Sequence, residues 1–143
     1  MTDTQAQEAT ATAAWAALLS SFAQAGYVRA EPPILQPAEP FLDLSGEGIR
    51  RSLYLTSDPG GEELCLRPDL TIPVARDYLA SGRGGEVAGF CYLGPVFRYR
   101  GGKPSEFLQA GVESFGRQDR AAAVAEMLAL GLEATAAFGV ADV

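Results

Sequence analysis

Histidine is absent from the 143 residues, and cysteine occurs only twice, at Cys65 and Cys91. Metal sites built on imidazole and Ser–His or Cys–His catalysis are therefore excluded within this chain. The two thiols sit in separate apolar, strand-like runs. That argues against a disulfide framework, and two lone cysteines do not make a zinc site. Positive charge is also scarce, with 11 basic residues against 18 acidic ones and a net charge of −7. A general grip on nucleic acid or on an anionic membrane needs the opposite field, so neither partner is expected. Lysine is nearly missing: Lys103 stands beside ten arginines. Arginine is the better residue for planar anion recognition, so a local basic pocket remains compatible with the acidic whole. No apolar run approaches the ~20 residues of a membrane span. The N-terminus has no basic region leading into an apolar core, and a cytoplasmic protein is expected.

What is present is ordinary for a folded domain: 48% hydrophobic and 20% charged residues, enough for one core. Only the opening, MTDTQAQEAT, is polar and small enough to suggest disorder. Ala11, Ala14, Trp15, Leu18, Leu19 and Phe22 recur at helical spacing, predicting a helix over about 5–25 with Gly26 as its stop. A short extended run follows over 27–30. The prolines of EPPILQPAEP then exclude a helix and disfavour a central strand. Residues 41–49 are ambiguous. A hairpin is predicted with arms at 53–56 and 64–67, turning through Asp58-Pro59-Gly60-Gly61. DLTIPVARDYLASG reads as a helix of about three turns, with Asp69 or Thr71 as its cap and a proline in its first turn. One long strand or two linked pieces over 87–100 and a return strand over 106–115 flank Gly101-Gly102-Lys103-Pro104, and a helix over 119–138 closes the chain. The order predicts an α+β fold with a mainly antiparallel sheet flanked by helices.

The chemistry gathers on the return strand. Side chains alternate faces, so Phe107, Gln109, Gly111, Glu113 and Phe115 share one face. Leu108, Ala110, Val112 and Ser114 share the other, which is expected to pack against helices. Gln109 and Glu113 stand ~13 Å apart along the strand with a glycine between them. Such a face resembles a floor for a small polar molecule, since glycine lets a ligand approach the backbone. A half-buried glutamate needs a partner. Arg98, on the neighbouring strand, is one candidate and a cationic ligand is the other; the residues alone leave the two level. Asp69 and Thr71 are explained by helix capping, Arg67 and Arg76 by ordinary pairing, and Gly101-Gly102-Lys103 by a solvated hairpin tip.

Taken together these segments resemble a known family. GPVFRYRGGKPSEFLQAGVESFG resembles motif 2 of the class II aminoacyl-tRNA synthetases in its histidyl form. LCLRPDLTIPVAR is similar to the segment that shapes that family's histidine pocket, and GYVRAEPPILQPAEPF to motif 1, with Pro33 as its proline. There are departures. Arg100 stands where the synthetase has an acid that helps hold ATP, and Leu108 where a histidine is usual. The form LRPDLTIPVAR is closer to the regulatory subunits of ATP phosphoribosyltransferase, the paralogues that lack aminoacylation activity. Motif 3 does not occur, so residues 1–143 are expected to be the N-terminal part of a class II synthetase-like core domain.

The resemblance implies a non-catalytic regulatory subunit, with no catalytic residues, metal or cofactor of its own. Its implied partner is the short-form catalytic subunit of ATP phosphoribosyltransferase, at the first step of histidine biosynthesis and its feedback. It implies histidine as ligand: Glu113 toward the imidazole, Asp69, Thr71 and Gln109 around the α-amino group, and Gly111 leaving room. Arg98 is implied as a structural or carboxylate-contacting residue. An incomplete sheet and a motif 1 segment predict self-association. A true histidyl-tRNA synthetase and a ligand-free interaction module are the alternatives.

Overall fold

A computed structural model describes residues 3–44 and 46–140, with backbone only for residues 3–9. Two three-stranded sheets share the chain. The larger one has the order β1 (Val28–Arg29), β5 (Ala88–Phe97), β6 (Glu106–Phe115); the smaller has the order β2 (Leu35–Pro37), β4 (Glu63–Leu66), β3 (Leu55–Ser57). All pairings are antiparallel except β1 with β5, where Val28 lies beside Phe90. The helices are α1 (Asp3–Gln24), α2 (Glu39–Leu44), α3 (Glu47–Arg50), α4 (Thr71–Ala80) and α5 (Arg120–Ala137).

Most elements fall where the residue pattern puts them, and β6 matches its expected limits. The first helix begins at Asp3, so part of the expected disordered opening is helical; Met1 and Thr2 lie outside the described residues. The ambiguous stretch resolves into α2 and α3, apart from Ser45, which is also outside the described residues. The proline-rich segment does form a strand, but at a sheet edge, where a missing N–H costs no ladder bond. The long strand is continuous through Pro95.

Burial follows the two faces of the β5–β6 pair. On one side Leu18 and Phe22 of α1, Leu130 of α5, Tyr27 and Cys91 form a core against which Ala110 and Val112 pack. Each such large side chain contributes roughly 1.5–3 kcal/mol on burial. Leu108 departs from expectation: it lies on this face but is 50% exposed. A network of polar bonds ties α5 to this layer, with the Tyr27 hydroxyl donating to Glu126 (2.6 Å) and Arg117 donating to both Glu126 and Asp119. On the other side Leu70 and Val74 of α4 pack on Tyr92 and Val96 of β5, with Phe90, Phe107 and Phe115 at the margins. A third cluster of Ala38, Phe41 and Cys65 fastens the smaller sheet. Both cysteines are free and buried, and burial pushes the Cys65 thiol up to about 11.

Candidate functional site

The site is assembled where α4 enters against the β5–β6 pair. Register decides its membership. Residues 88 and 115 pair, so Tyr92 faces Gly111, Gly94 faces Gln109 and Phe90 faces Glu113. The Tyr92 ring lies across Gly111, whose only available Cβ position is 2.5 Å from the Tyr92 hydroxyl oxygen. The room left by Gly111 is thus taken by a protein side chain. Tyr92 is 4% exposed, and its hydroxyl donates to Glu113 Oε1 at 3.0 Å and meets Thr71 Oγ1 at 3.2 Å.

A phenol has one proton to give. Tyr92 gives it to Glu113, so Thr71 must be the donor in the second bond. The relay therefore runs Thr71 to Tyr92 to Glu113, leaving the Thr71 oxygen able to accept and the second Glu113 oxygen open. Burial, with Glu113 and Asp69 adding their negative charge, pushes the Tyr92 phenol up to about 12. The two remaining oxygens are placed by the start of α4. Asp69 Oδ1 accepts from the Ile72 N–H at 3.0 Å, and Gln109 Oε1 accepts from the Leu70 N–H at 2.9 Å. Both satisfy helix-start donors that have no intrahelical partner. The capping reading of Asp69 holds; Thr71 does not cap. Each oxygen keeps a lone pair for a second donor.

Asp69, Thr71, Gln109, Gly111 and Glu113 are thus brought to one place by α4, β5 and β6. Arg98 is not part of their hydrogen-bonded network. The 98–105 connection fixes its backbone opposite Ser105 (2.8 Å), at the far end of the ladder from Glu113, so of the two candidate partners of Glu113 left open by the residues, Arg98 does not pair with it. Arg98 instead donates to the Pro68 carbonyl at 2.6 Å and stands over the Phe107 ring. Arg100 covers the same ring at 4.0 Å and donates to Pro104 O. Residues 101–104 form an exposed hairpin tip. Arg67 corrects a further expectation: it is buried and bonds backbone carbonyls rather than an acid. Tyr92 was missed by sequence reasoning. An aromatic opposite a strand glycine is its signal, but that signal appears only once the register is known. Among the described residues, no group of histidine, cysteine, aspartate or glutamate could hold a metal. No described helix is long and apolar enough to cross a membrane.

Helices on both faces of an antiparallel pair, with a strand-to-helix junction delivering acceptors onto one face, define a fold like the catalytic domain of class II aminoacyl-tRNA synthetases. A solved "ATP phosphoribosyltransferase regulatory subunit/histidyl-tRNA synthetase" from Bacillus halodurans C superposes with a TM-score of 0.82 at 29% identity, covering 94% of this chain and 35% of that one. A histidine–tRNA ligase subunit from Alicyclobacillus acidocaldarius gives 0.75 at 27% identity, covering 92% and 38%. The profile described as histidyl-tRNA synthetase matches residues 1–143, and the chain belongs to that family. In sequence it is 45% identical over 111 residues to the ATP phosphoribosyltransferase regulatory subunit of Sinorhizobium medicae, covering 78% of this chain and 29% of that protein. The Brucella ovis regulatory subunit is 48% identical over 99 residues, covering 69% and 26%. The chain therefore spans less than a third of the length of these curated relatives.

Proposed function

We propose that this chain carries the amino-acid-binding floor of a non-catalytic regulatory subunit of ATP phosphoribosyltransferase, and that histidine is its ligand. The observation that carries the reading is the Thr71–Tyr92–Glu113 relay with Asp69 and Gln109 beside it. It leaves acceptors at both ends: oxygens of Thr71, Asp69 and Gln109 suit an ammonium group, and the open Glu113 oxygen suits an imidazole N–H. Arg98, anchored one residue before Asp69, supplies a cation at the α4 end for a carboxylate. Occupancy is passed to a short-form catalytic subunit, and a second copy of the chain is a further partner. The names of the similar regulatory subunits support this choice of complex.

Aminoacylation is the second reading, favoured by the family profile. Against it, Arg100 adds a second cation over Phe107 where the synthetase pattern has an acid. Histidine titration of the full-length protein by calorimetry, paired with histidine-dependent pyrophosphate exchange, tests the proposal. Saturable binding without exchange is expected. Exchange well above background returns the protein to the synthetases, and absence of binding removes the ligand assignment.

A further inference from the structure

Arg67 lies outside the hydrogen-bonded network of the floor. Its residue is 6% exposed, and it stitches three segments together: Nε donates to Pro95 O at 2.8 Å, Nη1 to Pro32 O, and its backbone N–H to Ile34 O at 2.9 Å. Among the described residues no carboxylate lies within ion-pair distance of it; Nη2 has no protein acceptor, and since no unpaired side-chain polar atom is fully buried, it meets solvent. A buried guanidinium stays charged, and a buried charge without a counter-ion is costly. Nη2 lies against Gly94, where any Cβ would come within 2.7 Å of it. Beside it opens a cleft of about 320 Å³ between the 30–34 segment and β5, walled by Pro32, Leu70, Tyr92 and Leu93. That is the small end of the roughly 300–1,000 Å³ range of ligand pockets.

We propose that this cleft binds a small organic monocarboxylate on Arg67, a site separate from the amino-acid floor. Leu70 and Tyr92 wall the cleft, and Asp69, Thr71, Gln109 and Glu113 do not line it. Charge complementarity selects a monoanion. Arg67 is the one cation lining the cleft; Arg29 at its rim is already held by Glu31 (3.2 Å) and by Leu93 O (2.8 Å), so a dianion finds no second free cation. The paired N–H groups of a guanidinium match two carboxylate oxygens. The apolar walls suit a short hydrocarbon body.

The test is a titration of the full chain, labelled on arginine and glycine, with butyrate, butylammonium or inorganic phosphate at constant ionic strength. Butyrate is expected to shift the Arg67 Nε and Gly94 amide signals saturably, and butylammonium to leave them in place. Glu31→Lys, at an exposed position, is expected to tighten butyrate about two- to fivefold and to admit phosphate. Arg67→Met is expected to abolish the response; should that variant not fold, the wild type and Glu31→Lys decide. No saturable shift in the folded wild type overturns the proposal. An equal shift with phosphate also overturns it, because it marks a non-specific ion effect. So does a shift that follows protein concentration instead of butyrate, which places a second copy's carboxylate in the cleft.

Discussion

Replacing Gly111 by alanine is expected to damage the site without touching any polar group. A Cβ at 111 would lie 2.5 Å from the Tyr92 oxygen, 2.7 Å from Cζ and 2.9 Å from Cε2, all inside contact distance. Neither side can yield cheaply. Gly111 is held in the ladder opposite Tyr92, and the Tyr92 ring is packed with Leu70, Val74 and Val96. Overpacking of this kind costs about 1–3 kcal/mol. Displacing the hydroxyl also breaks its bonds to Thr71 and Glu113, and the charged one is worth about 1.5–3 kcal/mol. Alanine returns about 0.5–1 kcal/mol through lower backbone freedom. The net loss is about 2–5 kcal/mol. With an m-value of about 2 kcal/mol per molar urea, the unfolding midpoint should fall by about 1–2.5 M. A cycle with Tyr92→Leu isolates the cause. In that background Gly111→Ala should cost at least about 1.5 kcal/mol less, because the clashing atoms are gone. If Gly111→Ala shifts the midpoint by less than the experimental error in the parent, or by the same amount in both backgrounds, the account of Gly111 as the seat of Tyr92 is wrong.

Glu113→Gln keeps the volume and removes the charge that accepts from an imidazole N–H; histidine affinity measured by calorimetry should drop about ten- to a hundredfold, and unchanged affinity would move the site elsewhere. Tyr27 and Tyr92 both have phenols raised to about 12, by burial first and then by acceptance at a glutamate or a nearby negative charge. A phenol raised in the folded state contributes stability that is complete below its unfolded value near 10. That contribution is lost as pH rises toward 12, so urea midpoints should decline through this window, and less steeply in Tyr27→Phe. At the acid end Glu126 is held below its usual range by the Tyr27 hydroxyl and then Arg117, so its contribution is present above the ordinary carboxylate value and lost as pH falls through the lowered one; Glu126→Gln should flatten that limb. Self-association is expected through the open β6 edge and the exposed Val124, Leu128 and Leu132 of α5. Sedimentation should show a species larger than one chain that Leu128→Lys weakens, and a strictly monomeric chain at high concentration would contradict this.

The sequence made some of this site visible and hid the rest for physical reasons. Alternation alone puts Gln109, Gly111 and Glu113 on one face, because a strand's period is independent of its neighbours. The limits of β6 are legible because Gly116 follows its last residue and the turn residues Gly101-Gly102-Lys103-Pro104 precede its first. Which residue lies across from Gly111 is not local information. It depends on how many residues the 98–105 turn consumes, and a different count would have set Arg98 closer to Glu113. Arg67 was read as a pairing residue because its partners are carbonyls of Pro32 and Pro95, and a carbonyl leaves no trace in the residue code.

The lone parallel pairing in the sheet also orders events in time. Val28 and Arg29 cannot form their ladder until Phe90 and Cys91 exist, and the whole smaller sheet and α4 lie between them in the chain. The β5–β6 hairpin closes over the few residues of its own turn. Loop closure is paid before a distant contact rewards it, so the hairpin can act as a nucleus and β1 must wait as an unpaired segment. During synthesis the first strand leaves the ribosome well before its partner, with α1 beside it and its apolar residues uncovered. Substitutions in β6 such as Val112→Ala should therefore slow folding, whereas Val28→Ala should mainly speed unfolding, a contrast that stopped-flow kinetics can read directly.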